Sequence, residues 1–169
     1  MYIKDILVEK GEDIYSVDRE HSVRDTVMLM MEYDIGSVLI MDGDKIAGIL
    51  TKQDILAALG DKGDIVVQLK VSDLMSRNVI TCTLEDSTDH ALHVMNQNRI
   101  CHLPVIEDGK VCGLVSMWDL LKAVNDSYQF ENKLLKRYIQ AWPDERRGTG
   151  LKLVVNNKFR HPVENSGMP

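Results

Sequence analysis

Apolar residues recur at helical spacing in two stretches, each opened by a serine. After Ser22, the residues Val23, Val27 and Met30 or Met31 form a stripe, and Asp25 three residues past the serine marks a helix start. Ser87 with Ala91, Leu92 and Met95 repeats the arrangement. Ahead of the first stretch, Ile14-Tyr15-Ser16-Val17 reads as a short strand. Two apolar runs follow each helix. The first pair is Ser37 to Met41 and Lys45 to Leu50, joined by Asp42-Gly43-Asp44. The second is Leu103 to Ile106 and Val111 to Val115, joined by Asp108-Gly109. Asp-Gly between apolar runs predicts a hairpin. A closing helix is expected from Thr51 to Leu59 and from Ser116 to Asn125. The order is strand, helix, strand, strand, helix, twice over.

The two stretches are copies. A shift of 65 residues aligns them without a gap, placing Gly48 on Gly113, Asp54 on Asp119, Ile35 on Ile100 and Ser22 on Ser87. A preamble also recurs, Ile3-Lys4-Asp5-Ile6-Leu7 against Val71-Ser72-Asp73-Leu74-Met75, here at an offset of 68. The glycine-bearing polar run Gly60 to Asp64 reads as a linker. The expected fold class is mixed α+β: two β-α-β-β-α units in a pseudo-two-fold arrangement, followed by a C-terminal helix. The divisions are 1–60 for the first unit, 61–69 for the linker, 70–125 for the second unit, 126–143 for an amphipathic helix and 144–169 for a tail. A unit of about 50 residues is marginal for a core of its own. The two are therefore expected to bury sheet faces together and to leave two equivalent clefts between them.

Composition narrows the class without naming a function. The chain has 169 residues, 44% hydrophobic and 27% charged, as in ordinary globular proteins. No apolar run approaches the roughly 18 residues of a membrane span. The first ten residues carry Lys4, Asp5 and Glu9 where a signal peptide needs an apolar stretch, so a cytoplasmic location is expected. Cys82, Cys101 and Cys112 are too few for a disulfide framework. The net charge of −6 is split: residues 1–125 hold 12 Lys and Arg against 21 Asp and Glu, residues 126–169 hold 8 against 5. An acidic body does not suit nucleic-acid binding, which draws its affinity from phosphate neutralisation.

The informative recurrence lies where each last strand meets its last helix. Gly48-Ile49-Leu50-Thr51-Lys52-Gln53-Asp54 and Gly113-Leu114-Val115-Ser116-Met117-Trp118-Asp119 share the pattern Gly-x-x-Thr/Ser-x-x-Asp. Two readings stand side by side. In the first, Thr51 with Asp54, and Ser116 with Asp119, are capping boxes. In the second, the free amides of a helix start attract an anion. The carboxylate one turn in accepts ribose hydroxyls, and the glycine lets a ligand approach the backbone.

The doubled unit, this signature and the segment Arg99-Ile100-Cys101-His102-Leu103-Pro104-Val105 resemble tandem cystathionine-β-synthase (CBS) domains, the Bateman module, over residues 3–125. The resemblance implies a stand-alone regulatory sensor of adenosyl ligands: AMP, ADP, ATP, S-adenosylmethionine or NAD, with no obligatory cofactor. It implies that Asp54 and Asp119 bind ribose hydroxyls and that Thr51 and Ser116 contact ribose or phosphate. It lays adenine against Ile14 to Ser16 and Ser37 to Leu39, or against Val79 to Thr81 and His102 to Pro104. Lys52, His102 and Arg99 are the candidate cations, because the arginine that many members carry before the signature Asp is Gln53 in one unit and Trp118 in the other. Homodimers and an effector protein are the implied partners. The cleft with His102, Ser116 and Asp119 is expected to be the better equipped.

Other features are assigned to structure. Met28, Met30, Met31 and Met41 are expected in the core. Buried thiols are expected at the apolar repeat positions of Cys82 and Cys112, and solvent-facing imidazoles at His90 and His93. No metal site and no nucleophile–base constellation is read, so no enzyme is expected. Phe130, Leu134, Leu135, Tyr138, Ile139 and Trp142 give the tail an apolar helical stripe, ended by Pro143. A loop at 146–150, a strand from Leu151 to Val155 and disorder from His161 to Pro169 are read beyond it. The reading from another class is a ligand-independent dimeric scaffold for protein interactions.

Overall fold

The computed structural model describes residues 1–11 and 13–141. Residues 1–131 form one compact unit that contains both repeats. The elements are α1 (Ile3–Lys10), β1 (Ser16–Asp18), α2 (Val23–Glu32), β2 (Ser37–Asp42), β3 (Lys45–Thr51) and α3 (Lys52–Lys62). After two 3-10 segments, Gly63–Gln68 and Val71–Asp73, come β4 (Cys82–Thr83), α4 (Thr88–Asn98), β5 (His102–Glu107), β6 (Lys110–Ser116) and α5 (Met117–Ala141). The class is mixed α/β, as the pattern predicts.

Each repeat builds a three-stranded sheet in sequence order, its first pair parallel and its second antiparallel. The two hairpins match in detail. Ser37 pairs with Thr51 and His102 with Ser116, and both register shifts fall at equivalent places, Ile40/Met41 and Val105/Ile106. Asp108 (φ 50°) and Gly109 (φ 77°) both take the left-handed conformation that a tight two-residue hairpin turn requires. Ser22 and Ser87 cap α2 and α4 by accepting from Asp25 N–H and His90 N–H.

The preambles are exchanged between the repeats. Ile3, Ile6 and Leu7 of α1 pack into the second repeat's core with Met95, Leu103, Val105 and Val115. Val66, Val71 and Met75 pack into the first repeat's core with Val23, Met30, Ile40 and Leu50. Backbone bonds fix the exchange: Ile3 N–H donates to Asp86 O and Val71 N–H to His21 O, both at 2.9 Å. The signature glycines are explained by this packing. A Cβ on Gly113 would lie 2.6 Å from Leu7 Cδ1, and one on Gly48 would lie 2.6 Å from Met75 Sδ. The other repeat's preamble comes close to these glycines, so packing alone accounts for a residue without a Cβ at each.

Several expectations are revised. Gly60 to Asp64 is not a loose linker: α3 continues to Lys62, and Val66 in the following 3-10 segment is fully buried. The expected break near Asn125 is absent, and α5 runs unbroken from Met117 to Ala141. The strand read over Ile14–Val17 sits at Ser16–Asp18, because its parallel partner is Leu39 to Met41. Met30 is buried, whereas Met28 and Met31 are exposed on the outer face of α2. Cys82 is buried, Cys112 half-buried and Cys101 exposed, while His90 and His93 face solvent. The readings for Trp142, Pro143 and residues 144–169 lie outside the described residues.

Candidate ligand-binding cleft

Each signature turn is a strand end feeding a helix start, and both form complete capping boxes. Asp54 N–H donates to Thr51 Oγ1 (3.2 Å), while Thr51 N–H and Oγ1–H donate to Asp54 Oδ2 (2.8 and 2.6 Å). In the second repeat, Asp119 N–H donates to Ser116 Oγ (3.3 Å), and Ser116 N–H and Oγ–H donate to Asp119 Oδ2 (2.8 and 2.7 Å). The cap and the ligand reading are compatible, because capping uses only one carboxylate oxygen.

The two turns then diverge. Lys10, the last residue of α1, reaches Asp119 Oδ2 at 2.6 Å and also donates to Leu114 O at 3.0 Å. Asp119 Oδ2 therefore receives three donors, and Oδ1 receives none among the described residues. Burial pushes the Asp119 carboxyl up. The bond from Lys10, the two from Ser116 and the lysine charge outweigh it and hold the group below its ordinary range. Beside Asp54 no hydrogen bond or ion pair comes from a cation among the described residues.

Asp119, Ser116 and Lys10 open onto a cavity of about 440 Å³ between the repeats. The first repeat contributes Tyr15, Asp34, Gly36 and Ser37, and the second contributes His102 and Trp118. Ser37 and His102 occupy equivalent positions at the starts of β2 and β5, so the pseudo-two-fold brings corresponding residues together here. The His102 ring lies against Gly36, where a Cβ would sit 3.1 Å from Nε2. Burial, then the Lys10 charge, lower the His102 pKa against the opposing pull of Asp119, so the ring is neutral at pH 7. Ser37 is 6% exposed and lines the cavity, and its hydroxyl has no hydrogen-bond partner. Buried polar groups are nearly always satisfied, so this hydroxyl, closed off beside the cavity, is an unpaired polar group at the edge of the site.

The remaining sequence candidates fall as follows. Thr51 and Asp54 form the equivalent turn of the first repeat and do not line this cavity. Lys52 is exposed at the start of α3 and lines a separate apolar groove. Arg99 (φ 54°) caps the C-terminus of α4, where its charge suits the helix dipole, and does not reach the cavity. Pro104 is buried in β5, Val79 is half-buried and Thr81 exposed, and none of them lines the cavity. Ile14 and Ser16 flank Tyr15, which lines the cavity where they do not. The cavity thus draws on both repeats, whereas the sequence reading grouped residues from one. Lys10 and Asp34 were not among the site residues read from the sequence. Lys10 lies 109 positions from Asp119, beyond any local motif.

The CBS domain family model matches the chain twice, over residues 3–61 and 71–126. The chain belongs to this family and is a tandem CBS pair. The mitochondrial CBS domain-containing protein CBSX3 of Arabidopsis thaliana is 31% identical over 147 residues, which cover 82% of this chain and 71% of that protein. A CBS-domain containing protein of Agrobacterium tumefaciens has a solved structure with a TM-score of 0.72 and 31% identity, covering 73% of this chain and 98% of that one. The CBS domain pair of protein MJ0100, solved in complex with 5′-methylthioadenosine and S-adenosyl-L-methionine, gives 0.66 and 26%, covering 75% and 98%. Among the described residues no helix is long and apolar enough to cross a membrane.

Proposed function

We propose that this chain is a regulatory sensor that binds an adenosyl compound in the Asp119 cavity and passes the bound state to a partner protein. The observation that carries this reading is one cavity lined by Asp119, whose Oδ1 is unengaged, and by Ser37 of the other repeat, whose buried hydroxyl has no partner. Ribose hydroxyls would donate to Oδ1, and Ser37 would meet a polar edge of the base. Tyr15 and Trp118 supply ring surface for it. The MJ0100 pair was solved with two adenosyl compounds bound, which supports the class. Because Ser37 and Asp119 belong to different repeats, a ligand held by both would favour one relative arrangement of the two. Only such differential affinity shifts a conformational equilibrium.

The test is a thermal-shift screen of AMP, ADP, ATP, S-adenosylmethionine and NAD, followed by calorimetry. A ligand that binds the native state raises the melting temperature. Asp119→Ala should weaken the hit at least tenfold, with about 1 kcal/mol of stability lost from the cap. Ser37→Ala should weaken it too, yet leave the unliganded protein as stable or more so, since it removes an unsatisfied buried hydroxyl. If no adenosyl compound moves the melting temperature, the sensor reading fails and the ligand-independent scaffold takes its place.

A further inference from the structure

We propose that Lys10 is a specificity-determining residue that makes the Asp119 cavity select adenosyl ligands with a single anionic 5′ group, a nucleoside 5′-monophosphate. This rests on the adenosyl reading above and adds the ligand's charge to it. Lys10 supplies the one ammonium or guanidinium among the described residues that line the cavity. An ammonium has three N–H donors. Two are directed at Asp119 Oδ2 (2.6 Å) and Leu114 O (3.0 Å), so one is left for an incoming acceptor. The lysine side chain is 35% exposed, and a group in the cavity can therefore reach it.

The same contacts show that Lys10 and a ribose can be held together. All three donors to Asp119 converge on Oδ2, and Oδ1 remains for the ribose. A ribose anchored on Oδ1 would sit beside the carboxylate oxygen that Lys10 holds, so its 5′ group could be turned toward the ammonium. The cavity wall also limits the charge it accepts. Asp13 and Asp34 from the first repeat line it, so a second or third phosphate would meet carboxylates without a second ammonium or guanidinium to offset them. The preference is a property of this turn alone, since the equivalent carboxylate, Asp54, takes no hydrogen bond from a cation among the described residues.

Calorimetric titration of adenosine, AMP and ATP, in metal-free buffer, against the wild type, Lys10→Met and Lys10→Arg tests this. A charge-assisted hydrogen bond corresponds to roughly a ten- to hundredfold change in affinity. Wild type should bind AMP at least tenfold more tightly than adenosine, and ATP no more tightly than AMP. Lys10→Met should abolish the preference, binding AMP no more tightly than adenosine, while Lys10→Arg keeps it. If AMP and adenosine bind wild type equally, or Lys10→Met weakens both alike, Lys10 is not the selector although the adenosyl reading survives. If neither binds, both readings fall. The wild-type ranking needs no variant, so the proposal stays testable even if Lys10→Met folds poorly.

Discussion

His102 shows how much of the site is set by single charges. Its imidazole is held below the ordinary value of 6.5 by burial first and by the Lys10 charge second, with Asp119 pulling the other way. Removing the lysine charge in Lys10→Met should therefore raise the midpoint seen in an NMR titration of the His102 ring, and an unchanged midpoint would show that Lys10 does not act there. The stability consequence has a definite sign. A lowered native pKa means the unfolded chain holds more protons, so stability rises with pH through that window. The His102 contribution is complete above 6.5 and is lost as pH falls through the lowered native value. Urea midpoints should decline on that acid side. Cys82 contributes nothing to such titration, because burial, then the Asp86 charge, push its thiol up to about 12. At this scale the sequence was partly readable. The doubled signature pointed to Ser116 and Asp119, and the family resemblance added Ser37 and His102. Lys10 left no local signal because helix α1 carries it in from the far end of the chain.

At the scale of elements, the exchanged preambles decide why each signature begins with glycine. Leu7 fills the space over Gly113, and Met75 together with the Ser76 carbonyl (2.9 Å from where a Cβ would sit) fills the space over Gly48. Gly113→Ala should therefore cost about 1–3 kcal/mol through overpacking. Leu7→Ala should cost about 2–5 kcal/mol through the cavity it leaves. The double variant should cost less than the two together by about 0.5–3 kcal/mol, since the new methyl then occupies room that Leu7 vacated. Chemical denaturation of the four proteins measures this coupling, and strict additivity would show that Leu7 and Gly113 do not touch. Hairpins, serine caps and the repeat were legible because turn chemistry and periodicity are local. The exchange was not, because Ile3, Ile6 and Leu7 show that they need a core without showing which one. Likewise Gly60 to Asp64 carry linker composition but stay ordered through Val66, which is buried outside that run.

On the scale of the whole molecule, the Asp119 cavity and an apolar groove are separate. A groove of about 400 Å³ runs between α2, α3 and the first 3-10 segment, lined by Val27, Met28, Met31, Leu56 and Leu59, and it shares no lining residue with the Asp119 cavity. Met31 is 75% exposed and Leu56 67%, more apolar side chain than a solitary chain ordinarily leaves in water. A second copy of the same chain is the simplest cover, since a two-fold axis sets one apolar patch against itself. We therefore expect a dimer in sedimentation equilibrium. Met31→Glu combined with Leu56→Glu should convert it to monomer, because two like charges per copy would face each other without water to screen them. The intact fold of that variant should show in an unchanged circular dichroism spectrum, as both side chains are already exposed. If the variant remains dimeric, copies meet on another face. The apolar side chains Trp118, Leu121 and Tyr128 of α5 are the next surface to examine. Adenosyl affinity in the monomer then separates two mechanisms. Affinity within a few-fold of wild type would place sensing inside one chain, between Ser37 and Asp119, and a large loss would make the dimer part of the sensor.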